Sequence, residues 1–263
     1  MRHLVFLLAA VAMPAAADPE IEAVKASGAQ IVVLGETHDN PHHHARQAEI
    51  VAALDPTVLV FEFLTFEQAQ RHVPGAPEAE LKAALGWDEA AGLPDFSMYY
   101  PIFAAAPDAA VLGALVPRES ARMAMRRGTL EVFSGYGPRF DLDQPLPEAE
   151  LSQRLALQAE VHCNALPEDL LPSMVEVQRL RDAELARAAL AGLDAYGGPV
   201  VVITGNGHAR KDWGMPAMIA LARPDVQLFS LGQAETGTVL DGGFDMVVTT
   251  PAVEREDPCD AFR

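Results

Sequence analysis

Two four-residue motifs, Gly35-Glu36-Thr37-His38 and Gly205-Asn206-Gly207-His208, each place a histidine three residues after a glycine at the end of an apolar run. The runs, Ile31-Val32-Val33-Leu34 and Pro199-Val200-Val201-Val202-Ile203, are short and β-rich, the pattern of buried strands. Each glycine is expected to let the chain turn sharply off its strand, where a Cβ would clash, and to throw the histidine into a crevice. A further strand over residues 57–61 stops at Glu62, and another over 109–116 leads to Arg118. Ligands collect at the carboxyl ends of parallel strands. The sequence therefore puts Glu36, His38, Glu62, Arg118 and His208 on one rim.

Imidazole and carboxylate together suit zinc, manganese or iron. Glu36, His38, Glu62 and His208 are read as a candidate divalent-metal site and as the catalytic set of a metal-dependent hydrolase. Three of them would leave a position open for an activated water, with a spare glutamate as base. The same residues could instead cap helices and bond one another. On a helix starting at Pro41, His43 and Gln47 share a face with Ile50, Val51 and Leu54. That face points inward, which makes His43 and Gln47 supports that orient Glu36 or His38; His42 and His44 are assigned to the surface. On a later helix, Gln178 and Arg181 interrupt a stripe of Met174, Val177, Leu185 and Ala188, with Asp182 at its edge. A buried arginine there needs a carboxylate or a ligand. Finally, Phe96-Ser97-Met98-Tyr99-Tyr100-Pro101-Ile102 offers a tyrosine, an axial ligand type for ferric haem, among apolar walls; a packed aromatic core would read the same.

The elements that must position these groups are six apolar runs, at residues 30–34, 57–61, 109–116, 199–203, 226–231 and 244–249, separated by helical patterns. Such alternation predicts an α/β fold: a mostly parallel central sheet with helices on both faces. Helices over about 118–193 break the alternation and are read as a helical insertion or lid. Residues 18–263 are taken as a single domain. Residues 1–17 have a basic start, an apolar run from Leu4 to Met13 and small residues Ala15-Ala16-Ala17, the layout of a cleaved secretory signal peptide. No later stretch is long and apolar enough to span a bilayer, so the expected product is a soluble periplasmic or secreted protein. The net charge of −18 argues against nucleic acid and against anionic membranes as partners. Two cysteines, Cys163 and Cys259, suggest one disulfide in an oxidising compartment, or two buried thiols.

Taken in order, several pieces carry a family resemblance. They are residues 34–40 with His43-His44 and Gln47, Phe61-Glu62, Tyr99-Tyr100-Pro101-Ile102, Pro117-Arg118-Glu119, His162-Cys163, Met174 with residues 178–182, residues 205–212, and Asp257-Pro258-Cys259. The chain resembles the ChaN-like haem-binding uptake proteins, of a superfamily shared with Tiki and TraB proteins and erythromycin esterases. The resemblance implies an exported haem-binding protein of iron uptake, allows a homodimer holding haem between two protomers, and implies kinship with Tiki-type metalloproteases. It marks Glu36, His38, Glu62 and His208 as the metal-type positions. Tyr99 is the haem-ligand candidate, with Arg118, His43, Gln178 and Arg181 about the cofactor. Two departures stand out: no lipobox cysteine for an anchor, and Ala114-Leu115-Val116 where relatives often carry an asparagine.

Overall fold

The computed structural model describes residues 18–88, 92–257, 259 and 260. The signal-peptide reading of residues 1–17 falls outside them. In chain order the regular elements are α1 (Pro19–Ala26), β1 (Ile31–Glu36), α2 (Pro41–Leu54), β2 (Val58–Phe61), α3 (Phe66–Ala69), α4 (Glu78–Leu85), α5 (Phe96–Ala105), β3 (Ala110–Gly113), α6 (Arg118–Arg127), α7 (Glu148–Val161), α8 (Leu171–Tyr196), β4 (Val200–Gly205), α9 (Asn206–Ala209), α10 (Met215–Ala222), β5 (Leu228–Glu235) and β6 (Met246–Thr250). The six strands form one sheet in the order β3-β2-β4-β1-β5-β6. Every pairing in it is parallel. The α/β expectation holds, and each expected strand is present.

Alternation along the strands builds two apolar layers. Val32 and Leu34 of β1, Leu59 and Phe61 of β2, and Val201 and Ile203 of β4 face a layer made with α2, α4 and α5. Ile31, Val33, Val58, Val60, Val200 and Val202 face the other, made with α6, α8 and α10. The stretch 118–193, read from sequence as an insertion, includes α8, whose buried leucines and alanines lie directly on the second layer. That helix is a sheet cover rather than a lid. Among the described residues no helix is long and apolar enough to cross a membrane.

The sequence placed the ends of β1 and β4 at Leu34 and Ile203; both strands run further, to Glu36 and Gly205, which pair in register. Neither motif glycine makes the sharp turn expected of it, because both remain within strands. Close approach is the reason for glycine. A Cβ on Gly35 would lie 2.5 Å from Asn206 Oδ1, 3.1 Å from Ala209 Cβ and 3.2 Å from the Leu231 carbonyl oxygen. Asn206 cannot move aside cheaply, since its side chain bonds Gln233 through both ends, donating to its carbonyl and accepting from its N–H. The cysteines settle as a disulfide, Cys163–Cys259. Gly35→Ala should lower stability by about 1–3 kcal/mol, the usual cost of overpacking, read as an earlier urea midpoint with unchanged slope.

Candidate functional site

Glu36 is the innermost polar group of the rim, with no exposed side-chain surface. Its Oε1 accepts from the Tyr99 hydroxyl and from His38 Nδ1, the latter at 2.9 Å. Its Oε2 accepts from Gln47 Nε2 at 2.8 Å, and His44 Nδ1 lies 3.4 Å away. Burial opposes the charge on Glu36, but the His38 hydrogen bond and the positive character of His44 and His38 prevail and hold it below the ordinary carboxylate range. The same pairing raises His38, against the effect of its burial, with help from Glu62 and Asp39. His38 nonetheless leaves 43% of its side chain exposed and is the outermost member. Tyr99 is pushed well above its usual value by burial and by Glu36, so it stays a neutral donor.

A second cluster sits one strand over. Glu62 Oε2 accepts from Thr204 Oγ1 at 2.7 Å and from the Gly205 N–H at 2.8 Å, while Oε1 faces His208 Nε2 at 3.7 Å. The other ring nitrogen, His208 Nδ1, bonds Asp182 Oδ1 at 2.7 Å. Burial works against the Glu62 charge, yet His208 and His38 outweigh it and bring the carboxyl down to about 2. Burial likewise opposes a charged His208, but Asp182 and Glu62 together raise it above the usual imidazole range. Gly205 joins the two clusters: a Cβ there would stand 2.8 Å from His38 Cε1 and 3.0 Å from its Nε2.

The structure thus brings Glu36, His38, Glu62 and His208 together at the strand ends, as a hydrogen-bonded pair, Glu36–His38, and a looser ion pair, Glu62–His208. Among the described residues no group of three or more His, Cys, Asp or Glu is spaced to hold a metal ion. Glu36 is fully engaged by protein donors and has no access to solvent. The donor set does not fit the metal site read from the sequence, and no step is derived through a metal.

The other expected positions fall out unevenly. Gln47 reaches Glu36 as foreseen. His43 is buried but turns to the backbone, its Nδ1 accepting from the Thr37 N–H at 2.8 Å, and burial pushes it down to about 4. His44, assigned to the surface from sequence, is buried, bonds the His38 carbonyl at 2.9 Å and lies against Tyr99, with ring centroids 4.3 Å apart. The inner face of α2 takes in two successive histidines. On α8, Gln178 and Arg181 are half-buried, and the buried arginine is Arg179, which donates to the carbonyls of Asp141 and Gln144. Asp182, seen only as a stripe edge, is the residue that faces His208. Tyr99, the haem-ligand candidate, is 0% exposed with its hydroxyl committed to Glu36, so it does not present an oxygen to a flat ligand. Arg118 is exposed at the start of α6.

A separate cleft of about 420 Å³ has a lining that includes Phe66, Pro117, Val132, Ser134, Glu184 and Arg187, the last two paired with each other at 2.6 Å. The loop after Ser134 carries Tyr136, 74% exposed, with half-exposed Leu130 packed close to the neighbouring Gly137. Apolar walls and Arg187 meet in the cleft, and the accessible phenol of Tyr136 follows two residues after Ser134 of its lining.

A sequence model of the family described as haem-binding uptake, Tiki superfamily, ChaN matches residues 23–219. Among solved structures, one described as cofacial haem binding to ChaN of Campylobacter jejuni superposes with a TM-score of 0.68 at 21% identity, covering 88% of this chain and 91% of that one. That likeness establishes the fold. The type III effector HopBA1 (TM-score 0.43, 16% identity, 88% and 91% covered) and a succinoglycan biosynthesis protein (0.44, 15%, 82% and 69%) are more distant. No curated protein sequence matches.

The two members of the second pair respond oppositely to pH. A raised His208 contributes stability that is complete below its unfolded value of 6.5 and is lost as pH rises through the folded value. A depressed Glu62 contributes above its unfolded value of 4.5 and loses that contribution as pH falls through about 2. The stability gap between the parent chain and His208→Gln should therefore be widest in mild acid and narrow above neutrality. Urea unfolding across about pH 5 to 9 reads it; a gap that stays level or grows with pH would contradict the assignment.

Proposed function

The chain belongs to the ChaN family of haem-binding uptake proteins of the Tiki superfamily, and on that premise we propose that it is an exported haem-binding protein of iron uptake. The observation that carries the reading is the family match over residues 23–219, which takes in the whole rim and the exposed cleft. When bound, haem supplies a redox-active iron whose exchange is the cargo step of uptake. This chain's contribution is to bind and orient it.

The Tyr136 shelf has the chemistry for that task. A tyrosine oxygen ligates ferric haem, and Tyr136 is open to solvent where Tyr99 is closed. Phe66 and Val132 supply apolar surface for the macrocycle, Leu130 lies beside Gly137 next to Tyr136, and Arg187 suits a propionate. A shelf covers one face of a flat ligand. A second copy of this chain would cover the other, which supports the homodimer expected from the resemblance. Export is supported by the layout of residues 1–17 and by the Cys163–Cys259 bond, of a kind that persists in oxidising compartments. The metal-dependent hydrolase reading gains nothing from the rim, whose acids and histidines are already paired with each other.

Hemin titration tests the proposal. Stoichiometric addition should give a Soret band that Tyr136→Phe weakens by at least about tenfold in affinity, a difference of 1.4 kcal/mol. Tyr99→Phe should leave the band intact and instead cost about 1–3 kcal/mol of stability, because Glu36 loses a buried donor. Absence of any band, or its loss in Tyr99→Phe alone, would overturn the assignment of the shelf.

A further inference from the structure

Helix α7 has an unusual attachment. Its only fully buried side chains are Arg154 and Gln158. Leu151, Leu155 and Leu157 are half-exposed, Val161 is exposed, and no residue of α7 enters either apolar layer of the sheet. Arg154 holds the helix down by polar means, bonding the Trp213 carbonyl at 3.0 Å and lying 5.4 Å from that ring's centroid, with the other face of its charge answered by Glu150 within α7 itself. An element with so little buried apolar area belongs to the low-stability end of a fold.

Beneath it lies a cavity of about 280 Å³. Leu157 and Val161 of α7 form one wall; Leu240, Phe244 and Trp213 form others, and Asp182, the partner of His208, lines it. Helix α7 therefore walls one side of a partly open cavity that reaches Asp182, the partner of His208.

What pins it is covalent. Just past α7, Cys163 joins Cys259 on the segment that follows β6. That segment is anchored beside the rim, because Arg255 pairs with both Asp39 and Glu235, and the Pro251 carbonyl accepts from Asn40. Four residues reach at most about 14 Å, so Arg255 and the disulfide hold the end of α7 close to the β1 rim. The turn being held is itself strained. Cys163 and Asn164 both sit in the left-handed region, at φ 58° and 54°, and a cysteine has no local reason to adopt it. Both cysteines are half-exposed and open to a reductant.

We propose that the C-terminal strap is a redox latch: the Cys163–Cys259 bond closes α7 over the cavity beside His208, and its reduction releases α7 and opens that cavity. A dithiol supplies the two electrons and two protons. The S–S bond breaks, two thiols form, and the dithiol leaves as a disulfide. With the cross-link gone, α7 keeps Arg154, Gln158 and its packing against α8, and the turn at Cys163 relaxes.

Hydrogen exchange on the full chain, oxidised against reduced with dithiothreitol and against Cys259→Ser, tests this. Exchange in residues 148–163 should rise by about tenfold or more, the low end of what removing a cross-link does to a local equilibrium, while β1 and β4 keep their protection. Trp213 fluorescence, isolated in a Trp87→Phe background, should become more quenchable by acrylamide in the same samples. Unchanged exchange in α7 overturns the latch. So does loss of protection by α7, β1 and β4 together, which would make the disulfide a staple of the whole fold. Exchange in α7 without greater access to Trp213 overturns the opening of the cavity.

Discussion

A carboxylate taken out of water is tolerated only when donors fill its lone pairs, and Glu36 lies at the end of the central strand with no exposed surface. Much of the surrounding architecture answers that requirement. Helix α2 must come close enough for Gln47 and His44, and α5 must lie against α2 so that Tyr99 can donate from the far side. The ring packing of Trp87, Phe63 and His44 about Tyr99 holds that hydroxyl in place. His38 then has one direction left to it, over Gly205, and only a residue without a Cβ leaves room for the ring.

The same rule explains the second pair. Glu62, at the end of β2 on the far side of β4, draws donors from Thr204 and Gly205 and faces His208 at 3.7 Å, and His208 in turn bonds Asp182 of α8. The two pairs are electrostatically linked through His38 and Glu62. In a rim written in metal-binding residues, His38 and His208 are each held by an acid, Glu36 and Asp182. Its polarity fixes how β1, β4, α2, α5 and α8 meet. The shelf beside Tyr136 lies away from it, whereas the cavity under α7 reaches it at Asp182.

Strand positions, the parallel sheet, the inward face of α2 and the disulfide partners were all legible in the chain, because each follows from a local pattern: an apolar run, a helical period, an even pair of cysteines. Gln47 as a support for Glu36 was legible for the same reason. His44 was not. Its burial depends on α5 closing over α2, a contact between segments more than fifty residues apart in the chain. Asp182 looked like the edge of a stripe until the crossover from β3 to β4 brought α8 beneath β4's end.

The sequence by itself determined which residues would reach the strand ends, since strand period and a terminating polar residue are properties of a few consecutive positions. Tertiary structure alone decided what those residues do on arrival. Whether an acid and a histidine bond each other or await a ligand turns on distances set by packing between distant elements. Whether a tyrosine is a donor in the core or an oxygen in solvent turns on which helix covers it. Tyr99 and Tyr136 differ in that cover, 0% exposed against 74%, and nothing in the residues beside either one states it.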